Sequence, residues 1–250
     1  MNGESLLRRD RAVVIAALVA AIAASWAYLL AGAGMGELGT MPLARAGWSI
    51  GYFAIMFAMW AVMMVAMMLP GAAPMILLHM KVGQRRLERG ALPVATGHFV
   101  LGYVAVWTAF SLGATMLQWA FDEMALLAPM METNARAVAA GLLVAAGLYQ
   151  LTPLKQSCLR HCRSPLDFII SRWREGRAGS FLMGVEHGAY CLGCCWLLML
   201  LLFVGGVMSL LWIAGLAAYV LIEKTVPAGP WFARATGLAL IASAPLLVIA

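Results

Sequence analysis

The densest group of chemically reactive side chains lies between positions 184 and 196. Five such residues occur within ten positions of otherwise apolar sequence: Glu186, His187, Cys191, Cys194 and Cys195. Ionisable residues in an apolar segment are costly, so these need a partner or a function. On a helix the histidine and the first two cysteines share one face, and the third cysteine widens it. One imidazole with two or three thiols is a soft-ligand surface, which suits monovalent copper, zinc or an iron–sulfur centre.

This helix alone cannot enclose an ion. His187 and Cys194 would lie about 10 Å apart along a helix axis, too far for bonds of about 2.0–2.3 Å to one ion. Either a second helix completes the site or two sites overlap. The candidate partner is a methionine stripe at helical spacing: Met56, Met59, Met63 and Met67, the last three being predicted ligands. Thioethers are poor zinc ligands and favour copper, although ordinary helix packing also explains such a stripe.

A second sulfur-containing group is formed by Cys158, His161 and Cys162. Their i, i+3, i+4 spacing places two thiols and one imidazole on one helical face. The neighbouring arginines Arg160 and Arg163 favour reactive thiolates. The group is therefore a candidate cytoplasmic entry or exit point for a metal. The alternative is a pair of reduced cysteines in a basic juxtamembrane loop.

The composition indicates the elements that must position these residues. Of 250 residues, 64% are hydrophobic and 11% are charged, whereas soluble domains have about 45–50% apolar and 25% charged residues. We therefore expect an all-α polytopic transmembrane bundle, one integral membrane domain over residues 1–250, with about seven spans. The spans are predicted at Ala12–Ala31, Trp48–Leu69, Val94–Trp119, Ala135–Leu151, Phe181–Val204, Val207–Ile222 and Trp231–Ala250.

The basic residues predict the orientation of these spans. The net charge is +6, but Lys and Arg lie between apolar segments rather than in one patch, which argues against nucleic-acid binding. With the N-terminus inside, 15 of the 17 Lys and Arg residues are cytoplasmic, and only Arg45 and Arg136 are outside. We expect a multi-pass protein of the bacterial inner membrane, with a cytoplasmic N-terminus and a periplasmic C-terminus.

Two local signals refine the spans. The Pro70–Gly71 step interrupts an apolar run that continues to His79, so it predicts either a broken helix next to an interior site or an ordinary proline kink. Gly205 and Gly206 predict the turn that separates the fifth and sixth spans. Glu223 next to Lys224 is either an ion pair at a helix end or a relay for protons or metal.

Taken together, these motifs resemble a bacterial domain-of-unknown-function family described as predicted metal-binding integral membrane proteins. The resemblance is carried by four segments: the Met-rich run 59–70, the Cys-rich segment 155–165, the segment 184–196 and the Glu223–Lys224 pair. It covers most of the chain after the first helix. It implies metal binding by eight residues: Cys158, His161, Cys162, Glu186, His187, Cys191, Cys194 and Cys195. It does not identify the metal.

The leading functional hypothesis is a membrane protein that handles or transports copper, or else zinc, at a Cys/His/Met site between the second and fifth helices. Its expected partners are the lipid bilayer, the metal ion, and a metallochaperone or metalloenzyme. Two other hypotheses stay open. One is a thiol–disulfide oxidoreductase that uses Cys191 and Cys194, a C-x-x-C pair. The other is a scaffold whose cysteines only pack.

Overall fold

The computed structural model describes residues 3–32, 48–91, 96–127, 131–226 and 229–249. Within these ranges the chain is all-helical, without a β-strand. The helices are α1 (Gly3–Leu30), α2 (Ile50–Leu87), α3 (Thr96–Glu123), α4 (Arg136–Leu151), α5 (Pro153–Arg163), α6 (Pro165–Arg172), α7 (Gly176–Leu200), α8 (Leu202–Gly205), α9 (Leu210–Thr225) and α10 (Gly229–Ile249). The predicted outer residue Arg45 and the start of the predicted third span at Val94 lie outside the described residues.

The prediction of seven spans is not supported. Among the described residues, four helical segments are long and apolar enough to cross a membrane: Arg11–Leu30, Ile50–Leu87, Thr96–Glu123 and Gly176–Gly205. A fifth results if α4 and α5, which meet at a bend of 66°, form one span. Helices do form in the predicted sixth and seventh segments, but α9 has only 16 residues, about 24 Å, which is shorter than a hydrocarbon core of about 30 Å.

Helix α2 is continuous through Pro70 and Pro74, so of the two alternatives for the Pro-Gly step the broken helix does not form. A proline in a helix removes one backbone N–H donor and clashes with the preceding turn. Membrane-type helices tolerate this where neighbouring groups satisfy the backbone. Near this step the Tyr103 hydroxyl of α3 donates to the Met68 carbonyl at 3.0 Å, which links α3 to the proline-containing segment of α2. The predicted turn after the fifth span is present, because Gly206 has the positive φ of 92° that ends α8.

Helices α3 and α7 cross with their backbones in contact. A Cβ atom on Gly102 of α3 would collide with the carbonyl oxygen of Phe181, and one on Gly184 of α7 with that of Phe99. Small residues permit such close approach of two helices. This contact sets the position of α7, and with it the position of the cysteines it carries.

The two ends of the bundle differ in charge. At one end Arg11, Lys81 and Arg85 line a common pocket, and Arg86 pairs with Glu175, before α7, at 3.0 Å. At the other end the Trp48 indole N–H donates to Asp122 at 2.7 Å. Basic segments that are far apart in the sequence therefore lie together at one end of the fold.

Candidate metal centre

Helix α7 buries its cysteines on one face. Cys191, Cys194 and Cys195 are no more than 2% exposed, and His187 is equally buried. Cys162 of α5 lies close enough to interact with Cys191 and Cys194. The thiols of Cys194 and Cys195 donate to the Cys191 carbonyl oxygen at 3.0 and 3.1 Å. We call Cys162, Cys191, Cys194 and Cys195 the thiol cluster.

A lysine and a tyrosine from two further helices contact the thiol cluster. The Lys224 ammonium of α9 lies 3.0 Å from Cys191 Sγ, and the Tyr103 hydroxyl of α3 lies 3.0 Å from the same sulfur. Gly71 of α2 leaves room for the lysine stem, since a Cβ there would lie 3.3 Å from Lys224 Cδ. A buried ammonium next to sulfur is a charge partner for a thiolate, the form in which cysteine binds metals.

A buried ion pair between α5 and α9 contacts the backbone of the thiol cluster. Lys155 of α5 donates to Glu223 of α9 at 2.8 Å and to the Cys194 carbonyl oxygen, also at 2.8 Å. Neither side chain of the pair is exposed. Glu223 is thus paired with Lys155, while the adjacent Lys224 faces the thiols. The pair ties α5, α7 and α9 together where their sulfur-bearing or charged residues meet.

One thioether of α2 reaches the cluster. Met68 Sδ lies 4.0 Å from Cys195 Sγ, so α2 and α7 do approach each other at a Met/Cys contact. The predicted ligands Met59, Met63 and Met67 are buried on the same helix. Met68 lies beside this row rather than within it, about 100° further round the helix than Met67.

Two other predicted ligands lie apart from the thiol cluster, and a third, Cys158, lies at its edge near Cys194. Glu186 pairs with Arg172 at 2.9 Å and with Arg174 at 3.8 Å. The His161 ring stacks on Tyr190, with ring centroids 4.1 Å apart. Cys158 packs against Gly193, where an added Cβ would lie 2.8 Å from its sulfur.

His187 lies between the aromatic rings of Phe99, Tyr103 and Phe168, at centroid distances of 5.6–6.0 Å. Its Nδ1 atom is buried and has no hydrogen-bond partner among the described residues. Buried polar atoms are normally paired. This nitrogen is therefore free to act as a ligand or to bind water.

Lys155, Tyr103 and Met68 were not singled out by the sequence analysis. Lys155 stands in a basic segment whose charge is already explained by topology, and Tyr103 is one of many aromatic residues in an apolar span. Their partners are 39 or more positions away. The methionine run was a usable signal for Met68, but only the fold reveals which thioether of the run meets the cysteines.

The thiol cluster is not a ready-made coordination shell. Within the part of the chain that the structure describes, no three His, Cys, Asp or Glu side chains are arranged to hold a metal ion. The sulfurs of α7 instead bond to the Cys191 carbonyl oxygen or contact Lys224, Tyr103 and Met68. The donor set nevertheless suits a soft ion, since thiolates and thioethers are the ligands that select monovalent copper.

Fold and site thus define an all-helical protein with four or five apolar candidate spans around a buried sulfur-rich centre. A family model for the PpoB2 proteins, described as copper chaperones, matches residues 57–247. The chain belongs to this copper chaperone family. No curated protein and no solved structure matches it. The expected link to copper is compatible with the family, whereas the zinc alternative has no support.

Proposed function

We propose that this protein is a membrane-embedded copper chaperone that holds monovalent copper at the thiol cluster and passes it to a copper-requiring protein. The observation that carries the proposal is the convergence of half-buried Cys162 with the buried residues Cys191, Cys194, Cys195 and Met68. Three helices, α2, α5 and α7, contribute these sulfurs. The family description, copper chaperone, points to the same ion.

Lys224 gives the metal-free cluster a charge partner. Its ammonium contacts Cys191 Sγ at 3.0 Å in a site that excludes solvent. A monovalent copper ion carries the same charge and binds the thiolate more strongly than an ammonium does. A copper ion held by two cysteines of the cluster, each of which has lost its proton, would carry a net charge of −1, and the nearby Lys224 ammonium would balance that charge. When copper leaves and one of the two thiols regains its proton, the ammonium would again pair with a single thiolate, so the charges balance in both states, as a carrier requires.

The membrane location rests on hydropathy and on the distribution of charge. The apolar candidate spans are α1, α2, α3, α7 with α8, and the bent pair α4 and α5. The grouping of Arg11, Lys81, Arg85 and Arg86 at one end of the bundle supports a cytoplasmic position for that end. We propose the bacterial inner membrane as the location, with the N-terminus in the cytoplasm.

The test is metal analysis of the detergent-purified full-length protein after growth with added copper or zinc. Wild type is compared with the Cys191→Ser/Cys194→Ser variant and with Cys158→Ser, whose sulfur packs against Gly193 outside the cluster. We expect near-stoichiometric copper in wild type and in Cys158→Ser, and its loss from the double variant. Copper that persists in the double variant contradicts the thiol cluster as its site.

Metal-free protein in every sample would favour the thiol–disulfide alternative. The contact of Cys162 with Cys191 and Cys194 gives that alternative a specific pair to examine. All five cysteines are free thiols in the structure. Counting free thiols after growth under oxidising and reducing conditions separates the two functions, since a copper chaperone needs its thiols reduced in both.

A further inference from the structure

A second group of sulfur ligands lies at the opposite end of the methionine run from the thiol cluster. Gln118 of α3 is 1% exposed, and its amide nitrogen contacts Met56 Sδ of α2 at 3.5 Å and Met131 Sδ at 3.3 Å. Met131 belongs to the connection between α3 and α4 and is 8% exposed. Two thioethers from separate parts of the chain thus converge on one buried atom.

The orientation of the Gln118 amide is fixed by Trp60. The indole N–H of Trp60, which can only donate, lies 2.6 Å from Gln118 Oε1. The amide NH₂ group is therefore directed at the two sulfurs. Thioether sulfur is a weak hydrogen-bond acceptor, so this buried amide is poorly satisfied. Packing alone does not require a primary amide between two methionines, because an apolar side chain would fill the same space.

A soft monovalent cation is a far better partner for two thioethers than an amide N–H. Both sulfurs lie within 3.5 Å of the same nitrogen, so a cation near that point needs each sulfur to move by about 1 Å to reach a metal–sulfur bond of about 2.3 Å. Unbranched methionine makes such movements easily. Binding would require the amide to give up its bond to Trp60 and turn, which brings its oxygen, the donor atom of an amide, beside the cation.

We propose that Met56, Met131 and Gln118 form a second, thioether site for a monovalent soft cation, near the end of the bundle where Trp48 meets Asp122. The proposal deepens the copper function above and rests on it. Met56 and Met68 are separated by twelve residues, about 18 Å along α2. Between them the helix buries Met59, Met63, Met64 and Met67. The second site is where copper enters or leaves this row of thioethers.

The test uses silver(I), a monovalent soft ion that does not change oxidation state under these conditions, and full-length protein labelled with ¹³C on the methionine methyl groups. Silver is added until the thiol cluster is saturated, and the titration is then continued. We expect the Met56 and Met131 methyl signals to shift in this second phase. The signal of Met116, an exposed methionine of α3, serves as the control and should not move.

Two variants test whether the second phase of the titration arises from this site. Met131→Leu conserves volume and should fold normally, but it should lose one bound silver ion per chain and abolish the second-phase shift of Met56. Gln118→Met adds a third thioether and should tighten the second phase. The proposal is overturned if the second phase of the titration is unchanged in Met131→Leu. It is also overturned if silver saturates the thiol cluster and further silver leaves the Met56 and Met131 methyl signals unshifted. Absence of any silver binding overturns both this site and the proposed copper function.

Discussion

Lys155 and Glu223 show how much the site depends on single charged residues. The pair is completely buried, so removing the lysine leaves an uncompensated carboxylate in a medium that cannot solvate it. We predict that Lys155→Met destabilises the protein by about 3–5 kcal/mol, the usual cost of breaking a buried ion pair. The loss should appear as a large drop in the apparent Tm, followed by tryptophan fluorescence in detergent.

A double variant tests the cause of that loss. Lys155→Met/Glu223→Leu removes both charges, and replacing a whole buried pair by apolar residues is often neutral or stabilising. We expect it to recover most of the Tm lost in the single variant. A double variant as unstable as Lys155→Met would indicate that the hydrogen bond from Lys155 to the Cys194 carbonyl, rather than the unpaired carboxylate, is what matters.

Glu186 was predicted as a ligand, and its geometry favours a different role. It is held by two half-exposed arginines, Arg172 and Arg174. Ion pairs of this kind contribute about 0–1 kcal/mol. We therefore predict that Glu186→Gln keeps the copper content of wild type and changes the Tm little. A substantial loss of bound copper in Glu186→Gln, measured by metal analysis, would return this residue to the set of ligands.

For single residues, the sequence predicts the chemical type of a site better than it predicts which residues contact one another. The burial of a Cys and His face on α7 follows from residue type and helical spacing, because both depend on neighbours within two turns. The contacts of Lys155 with Glu223 and of Tyr103 with Cys191 join residues 68 and 88 positions apart. No local pattern encodes such pairs, and the basic character of residues 155–177 already had a sufficient explanation in topology.

At the scale of the helices, the close backbone contact between α3 and α7 can be tested directly. Gly102 cannot accept a Cβ without pushing the two backbones apart, whereas Gly113, on the same helix, has nothing within 4 Å of such an atom. We predict that Gly102→Ala destabilises the protein by about 1–3 kcal/mol or more. Gly113→Ala, the matched control, should be neutral or stabilising by up to about 1 kcal/mol, because alanine is the better helix former.

Metal content measured on the same two variants extends the test to the site. Since the crossing positions α7, Gly102→Ala should also reduce copper binding, while Gly113→Ala should not. Equal stability and equal copper content in the two variants would mean that the helices can separate at no cost, contrary to the close backbone contact seen here.

The elements themselves were only partly predictable. Hydropathy located the helical segments, and the Gly205–Gly206 turn was anticipated from residue type. Hydropathy could not show that α2 runs unbroken through Pro70, because a kinked helix and a broken helix have the same apolar composition. Nor could it show that α4 and α5 meet at a bend of 66° near Thr152. That bend is what carries Cys162 to the cysteines of α7.

For the whole molecule, the prediction concerns which end of the bundle faces the cytoplasm. The residues around Arg86 and Glu175 share one end, and those around Trp48 and Asp122 share the other. We predict that a fluorescent-protein reporter fused after Glu88 is active, since it stays in the cytoplasm. Alkaline phosphatase fused after Glu123 should be active, since it reaches the periplasm. The reverse pattern at both fusion points would invert the proposed orientation.

The close contact of α3 and α7 has a mechanical consequence for copper exchange. With glycines at both crossing points, α7 can neither rotate nor slide without forcing backbone into backbone. This crossing therefore holds three of the four thiols in place. Under the proposed function, copper would be loaded and released by rotation of the side chains of Cys162 and Lys224, from α5 and α9, without any rearrangement of the helices.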